Sequence, residues 1–193
     1  MNVAIVKYNA GNIRSVQYAL ERLNINAAVS DDPEILHGAD KVIFPGVGEA
    51  ASAMQYLRER NLDKVILDLK QPVLGICLGM QLMCTTTEEG NTNCLGIFNT
   101  PVRRFAHSLK VPQVGWNTIS TLRGNLFKGV EENAYCYFVH SYYADLCEDT
   151  IAKTAYGIGF SSALARNNFY GVQFHAEKSA ETGQRILQNF LSI

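Results

Sequence analysis

The stretch Pro72-Val73-Leu74-Gly75-Ile76-Cys77-Leu78-Gly79-Met80-Gln81 decides how the rest of the chain is read. Its short apolar run reads as a buried strand, and it ends in a cysteine with a glycine two residues to either side. The pattern matches the strand, sharp turn and helix of a nucleophile elbow, with sulfur in place of a serine hydroxyl. Such a turn holds its nucleophile strained and exposed. A helix starting near Leu78 would aim unpaired N–H groups and the positive end of its dipole at the sulfur. Both influences favour the thiolate, the reactive form of cysteine.

Upstream of this elbow, short apolar runs alternate with helical patterns, the arrangement of parallel strands joined by right-handed crossovers. Residues 3–7 read as a central strand. Beyond Asn12, in the N-cap position, Ile13, Val16, Leu20 and Leu23 recur on one helical face. Residues 26–29 and 41–44 offer two more strands, with a helical turn opened by Asp32-Pro33 between them, and 49–60 and 62–69 have helical patterns. Downstream come β-rich segments at 101–105, 113–119, 135–143 and 151–156, then a hairpin of 163–166 and 169–174 around Asn167-Asn168. A final helix over 180–191 presents Ile186, Leu187, Phe190 and Leu191 to a core. The expected class is α/β: an open mixed, mainly parallel central sheet flanked by helices, with a β-rich second half.

At 193 residues, without repeats or linker-like tracts, the chain fits one domain over 1–193, enough to bury roughly 70% of its unfolded surface. A net charge of −1 gives no basic footprint for nucleic acid, and Arg103-Arg104 alone reads as solvated surface. No apolar run nears the ~20 residues that span a bilayer. The opening Met1-Asn2-Val3-Ala4-Ile5-Val6-Lys7 reads as a strand, not a secretory leader, so the expected setting is the cytoplasm, away from any membrane. The cysteines, Cys77, Cys84, Cys94, Cys136 and Cys147, form neither a C-x-x-C pair nor zinc-ligand spacing. Neither a disulfide framework nor a metal is expected, and Cys84, seven residues after Cys77 on the same expected helix, and Cys136 read as buried thiols.

A cysteine nucleophile needs a base and a group to orient that base. Phe174-His175-Ala176-Glu177 supplies both, since a two-residue period puts His175 and Glu177 on one side of an extended chain. The carboxylate would fix the imidazole tautomer and leave its other nitrogen for sulfur. Cys77, His175 and Glu177 would then meet at the C-terminal ends of neighbouring strands, where open α/β sheets bind ligands. Oxyanion donors would come from Pro45-Gly46-Val47-Gly48, whose glycines allow close backbone approach, and from the Leu78 N–H after the nucleophile.

These three motifs, spread over nearly the whole chain, resemble the nucleophile, oxyanion-strand and histidine–glutamate motifs of the class I, or triad, glutamine amidotransferases. Within that family the chain is most similar to the glutaminase subunits that feed a cyclase of histidine biosynthesis. The narrower likeness rests on Gly11-Asn12-Ile13-Arg14-Ser15-Val16, Pro112-Gln113-Val114-Gly115-Trp116-Asn117, Tyr137-Phe138-Val139-His140-Ser141-Tyr142, and Lys178 after the glutamate. Lys7-Tyr8-Asn9 and Gln113 depart from it, standing where many relatives have Asp-Tyr-Gly and His.

The resemblance implies glutamine as substrate, no cofactor, and a γ-glutamyl thioester on Cys77. It implies that Gln81, Ser141 and Tyr142 help hold the glutamine α-groups beside the oxyanion segment Gly46, Val47, Gly48 and Leu78. It also implies a heterodimer with a (β/α)8-barrel cyclase that takes the ammonia, with Asn12, Trp116, Tyr137 and Lys178 at the partner interface. Because Val47 lies between two glycines, its peptide can carry a carbonyl inward until the partner flips it. Alone, the chain is expected to be nearly inactive.

Rival readings are weaker. A lone cysteine at a strand end is usually a packed thiol, but here the glycines and the histidine–glutamate segment accompany it. Gly46-Val47-Gly48-Glu49-Ala50-Ala51 fits G-x-G-x-x-A, yet that fingerprint belongs on the first strand of its unit and here another strand and helix precede it. The H-x-E triplet lacks the downstream P-C-x-x-C of zinc deaminases. His37, His107 and His140 read as structural or exposed. A related amidotransferase pathway and a catalytically silent interaction protein remain as alternatives.

Overall fold

The computed structural model describes residues 1–9, 11–106 and 108–193, so His107 falls outside the described residues. The strands are β1 (Val3–Val6), β2 (Ala27–Ser30), β3 (Lys41–Phe44), β4 (Val73–Ile76), β5 (Thr86–Thr87), β6 (Thr92–Asn93), β7 (Val102–Arg104), β8 (Gln113–Thr118), β9 (Tyr135–His140), β10 (Tyr142–Ala144), β11 (Thr150–Tyr156), β12 (Ile158–Arg166) and β13 (Phe169–Val172). The helices are α1 (Ile13–Glu21), α2 (Pro33–His37), α3 (Ala50–Glu59), α4 (Leu62–Asp68), α5 (Leu78–Leu82) and α6 (Ala180–Ser192).

One sheet runs β2-β1-β3-β4-β13-β12-β10-β7-β5-β6, with β11 also paired to β12. Its first five strands are mutually parallel, and the pairs made by β12 with β13, β10 and β11 are antiparallel. The α/β class with a mainly parallel centre and a β-rich second half is what forms. Alternation along the central strands sorts the core into two layers. Val3, Ile5, Ile43, Leu74 and Ile76 pack with α1 and α6, while Ala4, Val6, Val42, Phe44 and Val73 pack with α2, α3 and α4 on the other face. Asp32 caps α2, accepting from the Glu34 N–H at 2.9 Å.

Three expectations change. Residues 135–143 do not form one strand: the chain breaks at Ser141, whose carbonyl accepts from the Phe105 N–H at 3.1 Å. As a result β9 pairs with β8 in a separate two-stranded sheet, and β10 joins the main one. The helix after Cys77 lasts five residues, so Cys84 lies beyond it, although buried as expected. The run Thr85-Thr86-Thr87 that follows is β-branched, and its last two residues pair with Thr92 and Asn93. Asn12 sits at the N-cap of α1, but its side chain makes no capping bond and its φ is 72°. Among the described residues no helix is long and apolar enough to cross a membrane.

Candidate active site

The parallel register of β13 on β4 sets Gly171 opposite Gly75 and Val172 opposite Ile76. The two chains therefore leave the sheet side by side, and the Cys77 N–H donates to the Val172 carbonyl at 2.8 Å. Cys77 has φ 53°, a left-handed conformation that costs a non-glycine residue energy and persists only when its surroundings hold it. Close packing of α5 on the sheet does the holding. A Cβ at Gly79 would lie 1.9 Å from the Phe44 carbonyl oxygen, and one at Gly171 would lie 2.4 Å from Met80 Cγ. The elbow's strain is present but its exposure is not, because Cys77 is only 6% exposed.

Beyond β13 the chain carries His175 to the sulfur. Its Nδ1 and Glu177 Oε1 are 2.8 Å apart, which leaves Nε2 for Cys77. Burial, the largest single influence, pulls the imidazole down, but hydrogen bonds to Cys77 and Glu177, with their charges, outweigh it and hold it up at about 10. An imidazole set between a cysteine sulfur and a carboxylate is the arrangement that lets a thiol act as nucleophile with an acid–base partner. Asn12 completes the rear of this line. Its amide donates to the same Glu177 oxygen in a short hydrogen bond and lies 3.5 Å from His175 Nδ1. Glu177 Oε2 is buried and has no partner among the described residues.

In front of the sulfur is a cleft of about 280 Å³, lined by Val47, Gly48, Cys77, Leu78, Gln81, Ser141 and Tyr142 together with Glu89 and His140. The elements thus converge on one cavity the residues expected to bind substrate, except Gly46, which does not line it. Two details differ from expectation. The Leu78 N–H donates to the Gly46 carbonyl at 3.3 Å and is not free for an oxyanion. Gln81 uses its amide NH₂ on the Tyr142 carbonyl and on Gln173 Oε1, both at 2.9 Å, so that donor braces the wall of the cleft. Val47 O is itself held by the Gly11 N–H at 3.1 Å, and Gly48 has φ 135°.

Sequence reasoning missed Glu89, the one carboxylate lining the cleft among the described residues. Burial raises its carboxyl above the usual range, the Ala50 N–H bonded to it opposes this, and Glu49 adds to the rise. No spacing marks it, for Glu88-Glu89-Gly90 resembles any exposed turn. Trp116 and Tyr137 lie on the separate hairpin with ring centroids 5.8 Å apart, and Trp116 is 53% exposed. Together with Lys178, Arg22 and Glu177, Trp116 lines a second cavity of about 350 Å³ on the Glu177 side of the Cys77–His175–Glu177 line. His37 is exposed, whereas His140 is buried among Phe105, Phe138 and Phe160. Among the described residues no three His, Cys, Asp or Glu side chains are grouped as a metal site requires.

A cysteine on a strained strand–helix turn, backed by a histidine and a carboxylate from the adjacent strand's exit, is the layout of a thiol amidohydrolase. The family model for glutamine amidotransferase class-I matches residues 4–193, and the chain belongs to that family. Among its curated relatives, imidazole glycerol phosphate synthase subunit HisH of Bacteroides fragilis is 59% identical and that of Bacteroides thetaiotaomicron 56%. The subunit of the same name from Yersinia pseudotuberculosis is 44% identical, and each of these alignments covers all of both chains. Among solved structures, a glutamine amidotransferase from Thermotoga maritima superposes with a TM-score of 0.67 at 19% identity, covering 100% of this chain and 83% of that one. A putative GMP synthase protein from Thermoplasma acidophilum superposes with a TM-score of 0.78 at 22% identity, covering 100% of this chain and 92% of that one. These likenesses establish the fold.

Proposed function

We propose that the chain is the glutaminase subunit of an imidazole glycerol phosphate synthase, acting through Cys77, His175 and Glu177. The observation that carries the chemistry is the His175 imidazole held between the Cys77 sulfur and the Glu177 carboxylate. The full-length relatives carry the choice of pathway.

The Cys77 thiolate attacks the γ-carboxamide carbon of glutamine, forming a C–S bond and placing negative charge on the amide oxygen. His175 gives its proton to the departing nitrogen, the C–N bond breaks and ammonia leaves. The neutral imidazole then takes a proton from water, whose oxygen attacks the γ-glutamyl thioester and releases glutamate and the thiolate. Glu177 keeps Nδ1 protonated throughout, and Asn12 keeps Glu177 in place. Glu89 suits the substrate's α-ammonium, with Ser141 and Tyr142 beside it. The ammonia passes to a (β/α)8-barrel cyclase docked in a cytoplasmic heterodimer over the face that carries Trp116, Tyr137 and Lys178. Both core layers share one sheet, which supports a single domain over 1–193.

The test supplies the chain and its cyclase with glutamine labelled at the amide nitrogen. Label should enter the imidazole ring of imidazole glycerol phosphate and disappear in His175→Ala. Label released only as free ammonia, or entering another product, would contradict the pathway, and turnover unchanged in His175→Ala would contradict the mechanism.

A further inference from the structure

Gln173 is fully buried, and its amide bridges Gln81 and the sulfur of Cys77. Its orientation can be read from the far end of the chain of contacts. Gln81 Nε2 lies 2.9 Å from the Tyr142 carbonyl, which can only accept, so that end of the Gln81 amide is its NH₂. The same NH₂ lies 2.9 Å from Gln173 Oε1, so Gln173 must present oxygen there. Its Nε2 is then turned to Cys77 Sγ, at 3.7 Å, within reach for an N–H donating to sulfur. The flipped alternative would oppose two NH₂ groups in a dry interior.

We infer that Gln173 is a further catalytic residue, an N–H donor to the reacting sulfur, held in its working orientation by the line Tyr142–Gln81–Gln173. The inference rests on the reading of Cys77 as nucleophile. A donor favours the charged form of the group it serves. A third contact of the sulfur, beside those with His175 and Gln173, acts the opposite way: the Val139 carbonyl at 3.7 Å can accept from S–H but offers nothing to a thiolate. Gln173 therefore offsets that carbonyl and, fully buried and not part of the cleft lining, remains in place while His175 changes protonation state.

The titratable groups around the sulfur are His175 after β13, Tyr8 after β1, His140 at the end of β9 and Glu89 across the cleft. The Tyr8 hydroxyl is committed to the Pro45 carbonyl at 2.5 Å. That leaves His175 and Gln173 as the side-chain donors to sulfur among the described residues.

The experiment follows the alkylation rate of Cys77 by iodoacetamide against pH in the complex with the cyclase, read by peptide mass. Gln173→Leu should move the half-rate pH upward by about one unit, roughly tenfold slower reaction on the acid limb. Gln173→Glu should move it further, because a carboxylate opposes charge on sulfur, and Gln81→Leu should move it the same way by less. A packing role would lower thermal stability and leave these midpoints alone. A wild-type profile in Gln173→Leu would overturn the inference. If that variant does not fold, wild-type profiles in both Gln173→Glu and Gln81→Leu would do so. A Cys77 no more reactive in the wild type than Cys94 would remove the nucleophile reading and this inference with it.

Discussion

The backbone N–H of Leu78 donates to the carbonyl oxygen of Gly46 at 3.3 Å. The donor that should meet the oxyanion is already taken, and it is taken by the very segment expected to supply the second donor. A loop flanked by glycines can rotate the Gly46–Val47 peptide with little steric cost, so the hole can be opened by a change confined to this loop. On the proposed mechanism, the triad in this state would lack its electrostatic support, an effect whose single donors are worth about 10²–10³ in rate. The chain alone should therefore hydrolyse glutamine at least about a hundredfold more slowly than in complex with its cyclase. Steady-state glutamate release with and without the cyclase checks this, and equal rates would exclude a blocked resting state.

Glu89 faces the cleft with a carboxylate whose charge burial already makes costly. An α-ammonium would supply the missing counter-charge. Glu89→Gln should raise KM for glutamine by about tenfold or more, in line with the 1.5–3 kcal/mol of a charge-assisted hydrogen bond, while kcat changes less. A variant with unchanged KM would place the ammonium elsewhere.

His140 offers a stability prediction. Burial, the leading cause, lowers its imidazole to about 4, with nearby His175 adding to the fall and the bond to the Tyr142 carbonyl opposing it. On acidification the unfolded chain, with an ordinary histidine near 6.5, takes the proton first. The contribution is whole above about 6.5 and is lost as pH falls toward about 4, on the order of 3 kcal/mol in all. Urea midpoints taken at neutral pH and near pH 4.5 should differ less in His140→Asn than in the wild type. An equal drop in both would assign the acid sensitivity to other groups.

Much of this is legible in the sequence because it is periodic or local. The central strands alternate or run apolar, so the bounds of β3 can be read to the residue, and the elbow and the His175–Glu177 pair carry their chemistry in adjacent positions. What the sequence hides depends on tertiary contact. β5 and β6 are two residues each, too short for any period to register. The break at Ser141 sits inside an unbroken aromatic pattern and is imposed by pairing with Phe105 and by the diverging registers of β9 and β10. Asn12 resembles an ordinary N-cap, and only the fold brings its amide to a carboxylate 165 residues away. Glu89 and Gln173 likewise become chemical only once the fold brings one to the cleft wall and the other to the Cys77 sulfur.

The glycine at 79 should be intolerant of even one methyl group. A Cβ there would meet the Phe44 carbonyl at 1.9 Å, a backbone atom that cannot swing aside. Gly79→Ala should cost about 3 kcal/mol, the upper end of overpacking, and should also displace Cys77, because α5 begins one residue after it. Denaturant midpoints together with Cys77 alkylation rates report both effects. A variant of wild-type stability and reactivity would show that α5 does not hold the elbow.

The most direct test of the central claim, that Cys77 is the nucleophile driven by His175, is covalent capture with a diazo-ketone analogue of glutamine in the presence of the cyclase. One adduct should form, on the peptide containing Cys77, and it should be absent in Cys77→Ala and strongly slowed in His175→Ala. Label spread over Cys84, Cys94, Cys136 and Cys147, or a rate indifferent to His175, would contradict the account.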